Sequence, residues 1–240
     1  MKYILTLFLL YFSQQLVAFN SSGPTLNFKV GLDPESFQQL VAYNSPPPTL
    51  NFKVVLDPGH GGRDSVTKAN GVSEKDLVLT IAREIRDHLQ QEGFEVIMTR
   101  DSDEFVSLSE RAKIEGDIFI SLHANSVADS IGPSVRSMIK GMEIYTERTM
   151  ENDPRLVTQS NVLAANFKKH LSGLNGLSLR AVRQKSLAVL YQNRSPAVMI
   201  ELGFLTNEED IAFLTDKENH KVLSRAFTNA IKAYRATINR

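Results

Sequence analysis

Four ionisable side chains stand at positions from which they could share one metal ion and a water molecule. His60 follows the apolar segment LNFKVVLDP in a glycine-rich turn, and His123 and Glu201 each close an apolar segment, DIFISLH and AVMIE. Glu74 stands at the start of an amphipathic helix pattern. The chain has no cysteine, so His, Asp and Glu are its possible metal ligands. The pattern therefore indicates a metal centre built from imidazoles and carboxylates.

The residue types divide these four side chains into ligands and a base. Two histidines and one carboxylate are the ligand set of many catalytic zinc sites, which leave a fourth position for water. We predict that His60, Glu74 and His123 hold one zinc ion (Zn2+). Glu201 lies inside an apolar strand pattern, where a carboxylate is costly to bury unless it is paired or bound. It would be the catalytic group that abstracts a proton from the water.

Glycines surround His60 on both sides, at positions 59, 61 and 62. They permit the backbone conformations of a tight turn and a close approach of substrate. Taken alone, His123 would more often be a buried, hydrogen-bonded residue, and Glu74 an acidic residue that favours the first turn of a helix. The occurrence of all four residues at strand ends and a helix start favours the metal site.

Strand patterns alternate with helix patterns along most of the chain. Ser73 is a suitable N-cap for a helix whose apolar residues recur every four positions up to Gly93. Further helices are predicted at LSERAKIEG, at residues 155–171 and from Lys217 to Tyr234, and strands at LNFKVVLD, FEVIMT, DIFISLH, GMEIYTE, SLAVLYQ and AVMIEL. This alternation predicts an α/β fold, with a mostly parallel central sheet of about six strands and helices on both faces. In such a sheet the chemistry gathers at the carboxyl ends of the strands.

The N-terminal part has the features of a secreted protein. Residues 1–18 carry one lysine, an apolar run and small residues before an expected signal-peptidase cleavage after Ala18. Residues 14–34 and 38–58 align with 17 of 21 positions identical, but only the second copy continues into the turn of His60. We predict a signal peptide at 1–18, a flexible leader with a partial duplication at 19–48, and a catalytic domain at 49–240. The mature chain would be periplasmic or otherwise extracytoplasmic.

The charge balance bears on the partners of the chain. Its 27 basic and 27 acidic residues cancel, and such a balance lacks the electrostatic footprint of nucleic-acid binding. The apolar run of the signal peptide is too short to span a bilayer comfortably. We therefore expect no nucleic-acid partner, and membrane contact only through the signal peptide.

Several longer motifs occur in order along the chain: VVLDPGHGG at 54–62, EKDLVL at 74–79, TRDSD and SLSER between 99 and 111, DIFISLHAN at 117–125, GMEIY at 141–145 and PAVMIELGFLTNEED at 196–210. With these motifs the chain resembles the zinc-dependent N-acetylmuramoyl-L-alanine amidases over about residues 50–236. The resemblance implies hydrolysis of the amide bond between N-acetylmuramic acid and L-alanine in peptidoglycan, for cell-wall remodelling and daughter-cell separation. It also implies that His60, Glu74 and His123 are the zinc ligands and that Glu201 is catalytic.

The chain departs from the pattern of this family at three places. Residues 64–67 are Asp-Ser-Val-Thr, where the family usually has Asp-Pro-Gly-Ala, which implies a different loop before Glu74. The stretch from Arg111 to His123 is shorter by about one helical turn. After the segment that corresponds to GMEIY, some members carry a long helix that plugs the zinc site until an activator removes it. Residues 146–156 are too few for that helix, so we expect an open site. The sequence does not identify a divisome activator.

Two other functions stay open at this point. Ser137 and Lys140 fit the Ser-x-x-Lys pattern of penicillin-binding acyl-enzymes, in which the lysine activates the serine, although no Lys-Thr-Gly follows. A wall-binding module with a silent site is the non-enzymatic alternative, against which the intact set of four residues argues. Asn125, two residues after His123, could hold substrate, but an asparagine there also favours a turn.

Overall fold

Eight strands and seven helices follow one another through residues 52–64, 68–148 and 153–239, which are the residues that this computed structural model describes. The strands are β1 (Lys53–Pro58), β2 (Lys68–Ala69), β3 (Val72–Ser73), β4 (Glu95–Met98), β5 (Ile118–Asn125), β6 (Met142–Thr146), β7 (Leu179–Gln184) and β8 (Ala197–Phe204). The helices are α1 (Glu74–Gln91), α2 (Leu108–Ala112), α3 (Pro133–Arg136), α4 (Pro154–Leu171), α5 (Ala188–Tyr191), α6 (Glu208–Thr215) and α7 (Lys217–Ile238). The predicted signal peptide, leader and domain start at residue 49 lie outside the described residues.

Six of the strands form one sheet, in the order β4-β1-β5-β8-β6-β7. Four of its five strand pairings are parallel, and the pairing of β8 with β6 is antiparallel. The prediction of an α/β fold with a mostly parallel six-stranded sheet is confirmed. Because β6 and β7 run against the other four strands, they begin at the edge where those strands end. That edge therefore carries the carboxyl ends of four strands and the amino ends of two.

Alternate residues of the central strands face two different layers of helices. Val54 and Leu56 of β1 pack in a larger core, to which α1, α4 and α7 contribute their apolar sides. Val55, which lies between them, packs in a smaller core with Phe119, Met199 and two residues of α5. Long helices thus cover one face of the sheet, and short helices cover part of the other. Within the described ranges, none of the helices has the length and apolar character that a bilayer crossing requires.

Helix α1 brings Glu74 to the carboxyl edge of the sheet. Its apolar residues at every fourth position, Leu77, Ile81, Ile85 and Leu89, are buried in the larger core, as the sequence pattern predicts. Ser73 occupies the N-cap position, but its side chain makes no capping hydrogen bond. Glu74 is therefore the first helical residue, and its buried carboxylate reaches the end of β5.

One predicted strand is wrong. The segment SLAVLYQ forms the short helix α5, and the edge of the sheet is formed instead by LRAVRQ in β7. Val189 and Leu190 of α5 bury their apolar side chains in the smaller core without pairing in the sheet. The side chains of β7 are mostly exposed, so this edge strand lacks the apolar signal by which buried strands are recognised.

Candidate metal centre

His60, Glu74 and His123 meet at the carboxyl edge of the sheet. Oε1 of Glu74 lies 3.2 Å from His60 Nε2 and 2.9 Å from His123 Nδ1. The two imidazole rings meet edge to face with centroids 4.8 Å apart, and one donor atom from each residue lies within 4.8 Å of the others. Donor atoms bound at about 2.0–2.2 Å to a tetrahedral zinc ion lie about 3.3–3.6 Å from one another. The three residues predicted as ligands therefore fit one such ion.

Hydrogen bonds between these residues set the charge of Glu74 and His60. Burial raises the pKa of Glu74, but the hydrogen bonds from His123 and His60 outweigh it and bring the pKa down to about 2. The hydrogen bond to Glu74 raises the pKa of His60 to about 9, against the effect of burial and with help from Asp64. A metal ion requires an ionised carboxylate and neutral imidazoles. A bound cation would therefore displace the proton that His60 holds.

Glu201 lies beside the predicted ligands, on the strand next to that of His123. It is the register partner of His123 across β5 and β8, so both side chains stand on the same face of the sheet. Its Oε2 atom is buried and has no hydrogen-bond partner among the described residues. Burial raises the pKa of Glu201 to about 7. A buried oxygen without a partner and a shifted pKa are typical of a group that exchanges protons with water or substrate.

The turn that carries His60 has an unusual backbone conformation. His60 has a φ of +58°, a left-handed conformation that is uncommon for residues other than glycine. Gly61 follows with a φ of +126°, where a side chain would be strained. Gly59 stands against the imidazole of His123, and a methyl group in its place would overlap that ring. Gly59 therefore lets His60 and His123 approach each other, and Gly61 permits the conformation of the turn.

Arg111 fastens this turn to the sheet. Its buried guanidinium donates hydrogen bonds to the backbone oxygens of Pro58 and His60. It also lies 2.7 Å from Oδ1 of the buried Asp57, whose Oδ2 accepts a hydrogen bond from Ser121. Removing one partner of such a buried ion pair would leave an uncompensated charge and strongly destabilise the structure. The pair therefore keeps the strained turn in place.

Arg100 joins the same turn to the start of α1. Its guanidinium donates hydrogen bonds to the backbone oxygens of Pro58, Gly59 and Lys75, at 2.8 to 2.9 Å. One side chain thus connects the segment that carries His60 with the segment that carries Glu74. Neither Arg100 nor Arg111 was predicted to be a site residue. The available signal was their place in the motifs TRDSD and SLSER, because an arginine is costly to bury without partners.

Two clefts lie on this side of the fold and differ in their chemistry: one is lined by residues of the metal centre, and the other by Glu143, the cross-strand neighbour of Glu201. The apolar cleft, of about 470 Å³, is lined by His60 and His123 and by a mainly apolar wall of Phe105, Val106, Leu108, Leu187, Val189 and Met199. The basic groove, of about 490 Å³, has as its charged lining residues Glu143, Arg180, Arg183 and Lys185.

The other predicted site residues have different surroundings. Asn125 ends β5 and lines the basic groove, and its Oδ1 accepts a hydrogen bond from the backbone N–H of Ser126. Ser137 is exposed and donates a hydrogen bond to a backbone oxygen of α3. Lys140 is exposed and pairs with Glu209. Ser137 and Lys140 are therefore bound to other groups and not to each other.

Comparisons with known proteins agree with this geometry. Residues 54–233 match the Amidase_3 family, described as N-acetylmuramoyl-L-alanine amidase. The "Probable cell wall amidase LytH" of Staphylococcus epidermidis is 35% identical over 179 residues, which cover 73% of this chain and 56% of that protein. The chain thus spans little more than half the length of LytH. The "Uncharacterized protein YqiI" of Bacillus subtilis is 32% identical over 180 residues, which cover 73% of this chain and 81% of that protein.

A solved structure shows the same fold. The N-acetylmuramoyl-L-alanine amidase AmiC2 of Nostoc punctiforme matches 78% of this chain and 99% of its own chain, with a TM-score of 0.67 and 29% sequence identity. Together with the family match over residues 54–233, this confirms the resemblance that the motifs indicate. The chain belongs to the N-acetylmuramoyl-L-alanine amidase family.

Proposed function

We propose that this chain uses one zinc ion to hydrolyse the amide bond between N-acetylmuramic acid and L-alanine in peptidoglycan. The observation that carries the proposal is the meeting of His60, Glu74 and His123 within 4.8 Å. Beside them lies a carboxylate oxygen of Glu201 that has no hydrogen-bond partner in the part of the chain that the structure describes. Membership of the amidase family supports the choice of bond. Peptidoglycan polymer, its fragments and its precursors all contain this bond.

The chain's own residues account for the proton transfers. His60, Glu74 and His123 would hold the ion, which when bound polarises the amide carbonyl and makes an adjacent water molecule more acidic. Glu201 accepts a proton from that water and passes it to the nitrogen of the leaving L-alanine. Because water is the nucleophile, no covalent intermediate with the protein is needed.

The proposed setting is the bacterial cell wall. Cleavage of this bond separates peptides from glycan strands, which serves cell-wall remodelling and daughter-cell separation. The signal pattern at residues 1–18 supports an extracytoplasmic location. Seven residues, 147–153, connect β6 to α4, which is too short for a helix that plugs the site. We therefore propose that the site is open without removal of such a helix.

Metal removal should abolish the activity. The purified full chain, incubated with defined muropeptides, should release peptides that begin with L-alanine, identified by mass. A chelator should stop the reaction and added zinc should restore it, because the ion activates both carbonyl and water. Turnover that is insensitive to metal removal would contradict the zinc mechanism. A near-zero rate of the zinc-loaded chain that a partner protein raises would contradict the open site.

Glu201→Gln should separate catalysis from metal binding. The amide keeps the shape of the side chain but cannot accept the proton, so turnover should fall by about 10²–10⁴-fold. Zinc content, measured by atomic absorption, should equal that of the wild type because Glu201 is not a ligand. Glu208→Gln, which changes an exposed glutamate of α6, is the matched control. Wild-type turnover in Glu201→Gln would refute the assigned role.

Gly59→Ala should disturb the metal centre without removing a ligand. The added methyl group overlaps the imidazole of His123 and should weaken zinc affinity by about 10–100-fold, the usual effect of a change next to a ligand. Competition with a zinc-binding dye measures this. Gly173→Ala is the matched control, because nothing lies within 4 Å of a Cβ atom at that position. Equal affinities of the two variants would show that the close approach is not required.

A further inference from the structure

The basic groove begins on the strand next to Glu201. Glu143 of β6 is the cross-strand neighbour of Glu201, so the two side chains stand on the same face with Cβ atoms about 4.5–5.5 Å apart. Beyond Glu143 lie Arg180 and Arg183 of the edge strand β7. The groove therefore leads sideways from the proposed catalytic carboxylate.

The charges that line this groove do not cancel. Among the described lining residues, Arg180, Arg183 and Lys185 are basic and Glu143 alone is acidic. Oε2 of Glu143 accepts a hydrogen bond from the Tyr145 hydroxyl at 2.6 Å, and Oε1 faces both guanidinium groups. One carboxylate balances the charge of only one of the two arginines, so the groove keeps a net positive charge.

Both arginines keep hydrogen-bond donors for another anion. Nε of Arg180 lies 3.2 Å and Nε of Arg183 lies 3.4 Å from Glu143 Oε1, longer than the ~2.7–2.9 Å of a strong charge-assisted hydrogen bond. A guanidinium has five N–H donors, and these side chains are 37% and 51% exposed. The side chain of Glu143 is only 6% exposed, so its carboxylate needs a positively charged partner. One arginine fills that structural role, so the two together offer more donors than Glu143 requires.

The charged residues that line the apolar cleft are paired with one another. Among the described lining residues, Arg111 is buried and paired with Asp57, and Asp64 lies 3.1 Å from Nδ1 of His60. An uncharged sugar and lactyl group suits that cleft, whereas an acidic peptide suits the basic groove. The substrate would then lie across the metal centre with its sugar in the apolar cleft and its peptide in the basic groove.

We propose that the basic groove binds the peptide part of the substrate through the free α-carboxylate of its second residue, D-glutamate, which Arg180 and Arg183 hold. This inference rests on the proposed function. An extended peptide covers about 3.3–3.6 Å per residue, so this carboxylate lies about 7 Å from the scissile amide. Only β6 separates the strand of Glu201 from the strand of the arginines, about 9–10 Å at the usual strand spacing, and the length of an arginine side chain lets its guanidinium reach back toward that carboxylate. The groove would then distinguish D-glutamate from its α-amide, D-isoglutamine.

Two N-acetylmuramoyl peptides that differ only in this group test the inference. The zinc-loaded full chain should cleave the D-glutamate peptide with a kcat/KM about tenfold higher than that of the D-isoglutamine peptide, mainly through KM, because the amide removes a charged hydrogen bond. Arg180→Gln and Arg183→Gln, made singly so that Glu143 keeps one arginine partner, should each bring this ratio several-fold closer to one. Arg194→Gln is the matched control, because Arg194 is 84% exposed and pairs with Glu115 outside the groove; it should keep the wild-type ratio.

The outcomes separate this inference from the proposed function. Equal kcat/KM values of the wild type for both peptides, or a preference that survives in both arginine variants, would overturn the role of the groove and leave the amidase activity standing. Cleavage of neither peptide by the zinc-loaded chain would overturn the proposed function, and this inference with it.

Discussion

The carboxylate of Glu74 is the contact on which the rest of the site depends. Its Oε1 lies within 3.2 Å of one nitrogen of His60 and one of His123, and it also accepts the backbone N–H of Ala124 at 3.1 Å. These contacts join the turn after β1, the start of α1 and the end of β5. Bringing polar groups together in a mostly buried place costs both solvation and conformational entropy. The buried apolar side of α1 and the buried strands offset that cost.

Two buried arginines hold these segments of the chain together. Arg111 and Arg100 bind the backbone oxygens of the turn around His60, and Arg100 also binds the first turn of α1. A left-handed histidine persists only where surrounding contacts determine its conformation, and such strain is concentrated at functional sites. The side chains that would hold the metal are therefore positioned by backbone contacts before any substrate arrives. The surrounding scaffold stabilises the geometry that the proposed chemistry needs.

Residue type and position explain why so much of the site could be predicted from the sequence. His60, His123 and Glu201 stand at the ends of apolar segments, and a parallel sheet brings such ends to one edge. The alternation of apolar and polar residues along a strand, however, does not show in which direction the strand runs in the sheet. The reversal of β6 and β7 therefore placed Glu143, at the start of a strand, beside the site without any signal in the pattern.

Other features escaped prediction for different reasons. β7 is exposed and basic, so it lacks the apolar pattern that predicts a strand. The apolar segment SLAVLYQ buries its apolar side chains as a short helix instead. Arg100 and Arg111 stabilise the turn by donating hydrogen bonds to backbone oxygens that are distant in sequence. The pattern of residue types along the chain does not predict such contacts. Only the tertiary structure shows that two arginines hold the turn of His60.

The most direct test of the central claim is X-ray anomalous scattering at the zinc absorption edge, measured on crystals of the full chain grown with zinc. The account predicts one peak at bonding distance from a nitrogen of His60, a nitrogen of His123 and the carboxylate of Glu74, with the Glu201 carboxylate beside it and outside the coordination shell. A zinc peak held by other residues, or imidazoles of His60 and His123 too far apart to share one ion, would contradict it.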